Sequence, residues 1–279
     1  MERRMKPSTL FATASIALLP NLAIAQDSEP QTIPFEGGNF TIVENAEGEK
    51  VLAYEGKELA RNYVAFHDRT VEVSDTNVAI FAVGDGGNAC SPETVLAWKT
   101  EAGIQSTTIG AGKCDTPSPA VTAYNIFFIP YPLPGETLPV TTWDPESGLT
   151  MHGNLAYAPQ PGTDWSDLTP KTYEDGIVAA FKNEAVYNAA QQLLGDDLPG
   201  FATSLLINGG TEPLPSGAFY ASGCVPHACG VSDGFIAIDA KARKLYLAQQ
   251  TEAEPKAWPA LATWPAEFRD ALTKALANE

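Results

Sequence analysis

Histidine, cysteine and positive charge are all scarce in this chain. Of its 279 residues three are His and four are Cys, and 17 Lys plus Arg face 34 Asp plus Glu, for a net charge of −17. The shortage of cations makes nucleic acid and anionic lipid surfaces poor partners. It favours a basic protein, which long-range attraction would steer in, although acidity also keeps a secreted protein soluble. Long apolar runs are missing beyond the N-terminus, so no membrane insertion is expected. No cysteine pair has the two-residue spacing of a dithiol redox centre. His67 in "VAFHDRTVEV" and His152 in "TMHGNL" each lack a second ligand at useful spacing and read as surface turn residues, so no metal is expected. "FAVGDGGNAC" is glycine-rich, but it lacks the Lys-Ser/Thr of a phosphate loop and no helix follows it; it reads as a tight turn leading to a cysteine. Nothing in the sequence calls for a cofactor or identifies a catalytic residue.

What is present begins with a leader. Arg3, Arg4 and Lys6 form a basic head, residues 10–22 a short apolar core, and Ala23-Ile24-Ala25 a small-residue cleavage site. This is the pattern of a Sec signal peptide, residues 1–25, cut after Ala25, which implies a periplasmic or secreted protein. Removing it takes the net charge from −17 to −19, because Glu2 leaves with the three cations. In such a compartment disulfides persist. Four cysteines allow three pairings, and sequence proximity favours two local bridges, Cys90 with Cys114 and Cys224 with Cys229. On a chain-entropy argument the first stabilises by roughly 3 kcal/mol and the second by about 2 kcal/mol. The small ring acts mainly on its own backbone.

Residues 30–160 consist of short alternating β-type runs cut by Gly, Asp, Asn and Pro, and no stretch there keeps a helical period. A weak echo recurs at roughly equal spacing: Tyr54-Glu55-Gly56, Trp98 with Gly103-Ile104, and Trp143 with Gly148-Leu149, each at an apparent hairpin turn. The spacing is near that of propeller blades, but three units cannot close a propeller, so an antiparallel meander or sandwich is expected. Residues 161–172, within a Pro/Gly-rich stretch, read as a linker.

Residues 173–279 read as a small α+β domain, an antiparallel sheet flanked by helices. A helix is expected over "YEDGIVAAFKNEAVYNAAQQLLGDD", with Asp175 as its cap, Ile177, Phe181, Tyr187, Ala190 and Leu194 on one face and Gly195 as its stop. Strands are expected at "FATSLLIN", "GAFYASGC", "GFIAIDA" and "RKLYLAQQ". A last helix from Pro265 packs Phe268, Leu272 and Leu276 inward.

The stretch "SGCVPHACG" sets His227 between two neighbouring cysteines. A Cys-His-Cys zinc site is crowded and lacks a fourth ligand. A hydrolytic His227 lacks an identifiable partner. A plain hairpin staple with a bystander histidine is the bland alternative, and a protein-binding loop is the leading one.

"CVPHAC" followed by "GVSDGFIAIDAKARKLYLA", preceded by a helix ending "LLGDDLPGF" and closed by a C-terminal helix, resembles the inhibitor of vertebrate lysozyme family, Ivy, whose hallmark is a Cys-Lys-Pro-His-Asp-Cys loop. The resemblance spans about residues 172–277. It implies a bridged loop, Cys224 to Cys229, that protrudes from the sheet, stiffened by Pro226, with His227 entering a lysozyme cleft. Val225 stands where the family has lysine and Ala228 where it has aspartate, and both departures remove polar contacts. The implied partner is a basic lysozyme-like glycosidase, and the implied protein is not an enzyme. A runner-up is an envelope binding or structural module. Oligomeric state has no signature in the sequence.

Overall fold

A computed structural model describes residues 30–87, 90–114, 116–173 and 176–276, without the side chain of Thr172. The signal-peptide reading and the Asp175 cap lie outside these residues. Residues 30–156 form three consecutive four-stranded antiparallel meanders. The first contains β1 (Gln31–Phe35), β2 (Gly38–Glu44), β3 (Lys50–Tyr54) and β4 (Lys57–Asn62). The second contains β5 (Val64–Val73), β6 (Thr76–Gly84), β7 (Glu93–Thr100) and β8 (Gly103–Ile109). The third contains β9 (Pro119–Val121), β10 (Ile126–Phe128), β11 (Thr137–Asp144) and β12 (Gly148–Ala156). Each echo seen in the sequence falls where the third strand of a meander turns into the fourth, so the weak repeat marks three equivalent sheets.

The sheets pack face to face. Phe40, Leu52 and Phe35 of the first meet Phe81, Val95 and Ala97 of the second. Ile80, Leu96 and Val78, on the opposite face of the second sheet, meet Ile126, Phe128 and Trp143 of the third. Alternation therefore buries both faces of β6 and β7, and this is why "NVAIFAV" and "TVLAW" read as nearly continuous apolar runs. Gly86 and Gly87 have φ of 76° and 73°, left-handed backbone that glycine adopts freely. Cys90 is bonded to Cys114. His67 and His152 lie on strands, in β5 and β12, rather than in turns. Each sits at a register shift that lets one extra residue into a strand. The extra residues are Asp68 and His152.

The C-terminal part contains α1 (Glu184–Leu194), α2 (Leu198–Thr203), β13 (Ile207–Asn208), β14 (Glu212–Pro213), β15 (Phe219–Cys224), β16 (Gly234–Asp239), β17 (Lys244–Gln249), β18 (Lys256–Trp258) and α3 (Ala266–Leu276). The sheet runs β13-β15-β16-β17-β18, with β14 beside β15. Period-two alternation sends Phe219, Ala221, Ile236, Ile238, Leu245 and Leu247 to the α1 and α2 face. Tyr220, Phe235, Ala237, Tyr246 and Ala248 go to the other, under Trp264, Phe268 and Leu272.

Two expected elements differ. The long helix is split: Ile177–Lys182 is 3-10, and α1 begins after Asn183. The Asn183 side chain accepts from Val186 N at 3.1 Å and donates to Asp164 O at 2.8 Å, so it caps a new start instead of continuing a turn. "FATSLLIN" is strand only at Ile207–Asn208, because Pro199, in the first turn after Leu198, starts α2 there. Residues 161–172 carry Trp165 and Leu168 into the core beside Ile177 and Phe181. Gly162 N donates to Glu184 Oε2 and Glu184 N to Thr163 Oγ1, both at 2.7 Å, which pins this segment to the start of α1. Tyr157 stacks on Tyr187 of α1 at 5.4 Å, and burial pushes its hydroxyl up to about 12.

Candidate functional site

The connection between β15 and β16, neighbouring inner strands of the sheet, carries the ring. Cys224 ends β15 and is bonded to Cys229, with Cα atoms 4.9 Å apart. Inside the ring Ala228 N donates to Val225 O at 3.0 Å, closing a four-residue turn. Pro226 occupies the second position and His227 the third, where φ is 63°. Proline followed by a positive φ has the features of a type II turn, for which glycine or asparagine is the usual third residue. A histidine there costs about 1–2 kcal/mol of backbone strain. His227 and Cys229 are exposed, while Val225, Pro226 and Ala228 are half-buried. The chain thus holds an imidazole outward at a position where backbone preference alone would select a smaller residue.

The base of the ring is tightly built. Gly223 and Gly234 face each other across β15 and β16. The segment leaving α2 crosses directly over both. A Cβ on Gly223 would come within 2.7 Å of Ile207 O and 2.9 Å of Leu205 Cα; one on Gly234 would come within 2.9 Å of Ser204 O and still closer to Ser204 Oγ. Gly234 N also donates to Ser204 O at 3.1 Å. Glycine is needed here for close approach, since neither residue has a positive φ. Gly234→Ala should lower stability by about 1–3 kcal/mol, because the obstacle includes backbone that cannot swing aside. Urea denaturation measures this, and an unchanged midpoint would show that the crossing segment gives way.

Beside the ring lies a cleft of about 370 Å³, walled by Cys224 and Cys229, Gly223 and Ile207, with Glu212, Tyr220 and Lys274 around it. Glu212 Oε2 accepts from the Tyr220 hydroxyl at 2.7 Å and from Lys274 Nζ at 2.6 Å. Lys274 first and Tyr220 second hold the Glu212 carboxyl below the usual range. The bond to Glu212 raises Lys274, and burial foremost raises Tyr220. The network ties α3 to β14, and these partners are too far apart in the chain to be paired from sequence. Among the described residues no group of three His, Cys, Asp or Glu is placed to hold a metal. No helix among them is long and apolar enough to cross a membrane.

The C-terminal part is thus a helix-flanked antiparallel sheet with a disulfide-closed turn between two of its inner strands. Residues 185–278 match the family model of the inhibitor of vertebrate lysozyme, Ivy, and so agree with the resemblance carried by "CVPHAC". Residues 36–156, the three meanders, match a different family, the Y4bG N-terminal domain. Over 255 residues the chain is 24% identical to the uncharacterized protein y4bG of Sinorhizobium fredii, covering 90% of this chain and 93% of that one. A subtype N11 neuraminidase-like protein of A/flat-faced bat/Peru/033/2010 (H18N11) aligns over 81% of this chain and 69% of its own at 10% identity. Its TM-score of 0.23 is too low to bear on the fold.

Proposed function

We propose that the protein is a secreted inhibitor of a lysozyme-like glycosidase, and that residues 224–229 insert His227 into the catalytic cleft. The observation that carries this reading is an exposed imidazole in a strained left-handed turn closed by a disulfide, within the part of the chain that matches the Ivy family. Lysozyme clefts hold one protonated and one ionised carboxyl group, and a single imidazole can hydrogen-bond to both. A turn fixed by proline and disulfide loses little ordering entropy on binding. Net charge of −19 after removal of the leader suits a basic target. In this reading residues 1–25 direct export, residues 173–279 form the inhibitory unit, residues 161–172 lead into it and residues 30–160 form a separate β-rich unit.

The test is lysis of a peptidoglycan suspension by a basic animal lysozyme in the presence of the mature protein. Suppression at micromolar concentration is the expected result. Undiminished lysis at that concentration would exclude this target. Val225 and Ala228, which lack the polar groups of the family loop, favour a second reading, an envelope binding module that keeps the scaffold and has no lysozyme target. Capture of the organism's own lytic enzymes on immobilised protein would then decide between another glycosidase and no glycosidase.

A further inference from the structure

The turn that follows the ring is held by a side chain with no surface role. Asp233 is 0% exposed, and its two carboxyl oxygens lie 2.9 and 3.1 Å from the backbone N of Gly230, the residue directly after Cys229. No cation pairs with it among the described residues. A carboxyl group is costly to bury unless it is well hydrogen-bonded, so its setting makes the Gly230 amide its principal satisfaction. Its own backbone is anchored on two sides. Asp233 O accepts from Gln250 N at 2.8 Å, just past β17, and the next residue, Gly234, is fixed by Ser204 O and faces Gly223. Gly230, by contrast, is exposed with φ of 84°, and Val231 beyond it is 70% exposed. The entry to the ring is fixed by β15 through Cys224. Its exit has no strand until Gly234.

We propose that Asp233 is the positioning residue of the ring, carrying the rigidity of the sheet across residues 230–233 to Cys229 and so setting the direction in which His227 is presented. The structural half of this inference stands by itself; the consequence for binding rests on the inhibitor reading above. A ring free to rock on its exit spends only part of its time correctly aimed, and apparent affinity falls by that fraction.

The experiment uses the full mature protein with Asp233→Ala and Asp233→Asn. Amide exchange followed by NMR should show Gly230 N–H exchanging about tenfold to a hundredfold faster in the alanine variant, while amides within β15 and β16 keep their rates. Asparagine, which keeps an acceptor of the same shape, should fall between alanine and wild type. If the alanine variant does not fold, the asparagine variant reads the same amide by itself. Gly230 exchange equal to wild type in the folded variants would overturn the proposal, and so would a loss spread evenly over the whole sheet. Against a basic animal lysozyme, the alanine variant should associate more slowly, with asparagine restoring most of the rate. If wild type does not bind that lysozyme but Gly230 still responds, the inhibitor reading fails and the positioning role survives.

Discussion

Replacing His227 with alanine should weaken binding to the target enzyme about thirtyfold to a thousandfold, or about 2–4 kcal/mol, and leave thermal unfolding of the sheet unchanged. The magnitude follows from the residue's place at the tip of the ring, where it would be the most deeply desolvated group in the complex. Alanine alone is ambiguous, however, because His227 has φ of 63° and alanine is no more at ease there. Asparagine tolerates this backbone and glycine prefers it, so His227→Asn and His227→Gly keep the turn and remove the imidazole. If all three variants lose inhibition together, the imidazole is the contact. Should asparagine inhibit as well as wild type, the shape of the ring matters and the side chain does not, and the cleft-filling mechanism is wrong. Lysis of peptidoglycan at graded inhibitor concentrations measures each case.

Local chemistry was legible in the sequence where it concerned neighbours. The Cys224 to Cys229 ring, the β runs with their turn residues and the final helix from Pro265 all rest on contacts within a few residues. Even the echo of Tyr54, Trp98 and Trp143 located three hairpins of three successive sheets, because each aromatic sits at the same strand end. What stayed hidden depends on residues distant in the chain. Asn183 looked like one more helical residue until Asp164 was brought beside it. Gly223 and Gly234 look like ordinary turn glycines, and only the crossing of residues 204–207 explains them. Asp233 looks like a surface acid in a turn. Its backbone is held by Gln250 just past β17, and that of the next residue by Ser204 at the end of α2, neither of which is adjacent in sequence. The left-handed φ of His227 is by contrast local, since proline at the second position of a four-residue turn is compatible with a type II turn and its left-handed third residue.

Truncating Trp143 to alanine should cost about 3–5 kcal/mol, the largest stability loss expected from any one residue of the three meanders. Trp143 is 0% exposed and fills the space between the second and third sheets, edge-on to Trp98 at 4.8 Å. It belongs to a single cluster with Ile80, Leu96, Ile126 and Phe128, so its removal leaves a cavity between two sheets, the second of which is pinned from behind by the first. The middle sheet cannot relax into that space without leaving Phe40 and Leu52 on its other face. Trp143 Nε1 is also buried without a hydrogen-bond partner among the described residues. An unsatisfied buried donor is itself destabilising by about 1–3 kcal/mol, so Trp143→Phe loses apolar area but removes that penalty. Phenylalanine should therefore cost less than about 1.5 kcal/mol, an unusually small penalty for a fully buried tryptophan. Urea denaturation followed by circular dichroism separates the cases without relying on tryptophan emission. An alanine variant that unfolds at the wild-type midpoint would show that the sheets do not depend on this contact. A phenylalanine variant as unstable as the alanine one would show that the indole N–H finds a partner after all, and that the shape of the ring system, not its volume, holds the second sheet to the third.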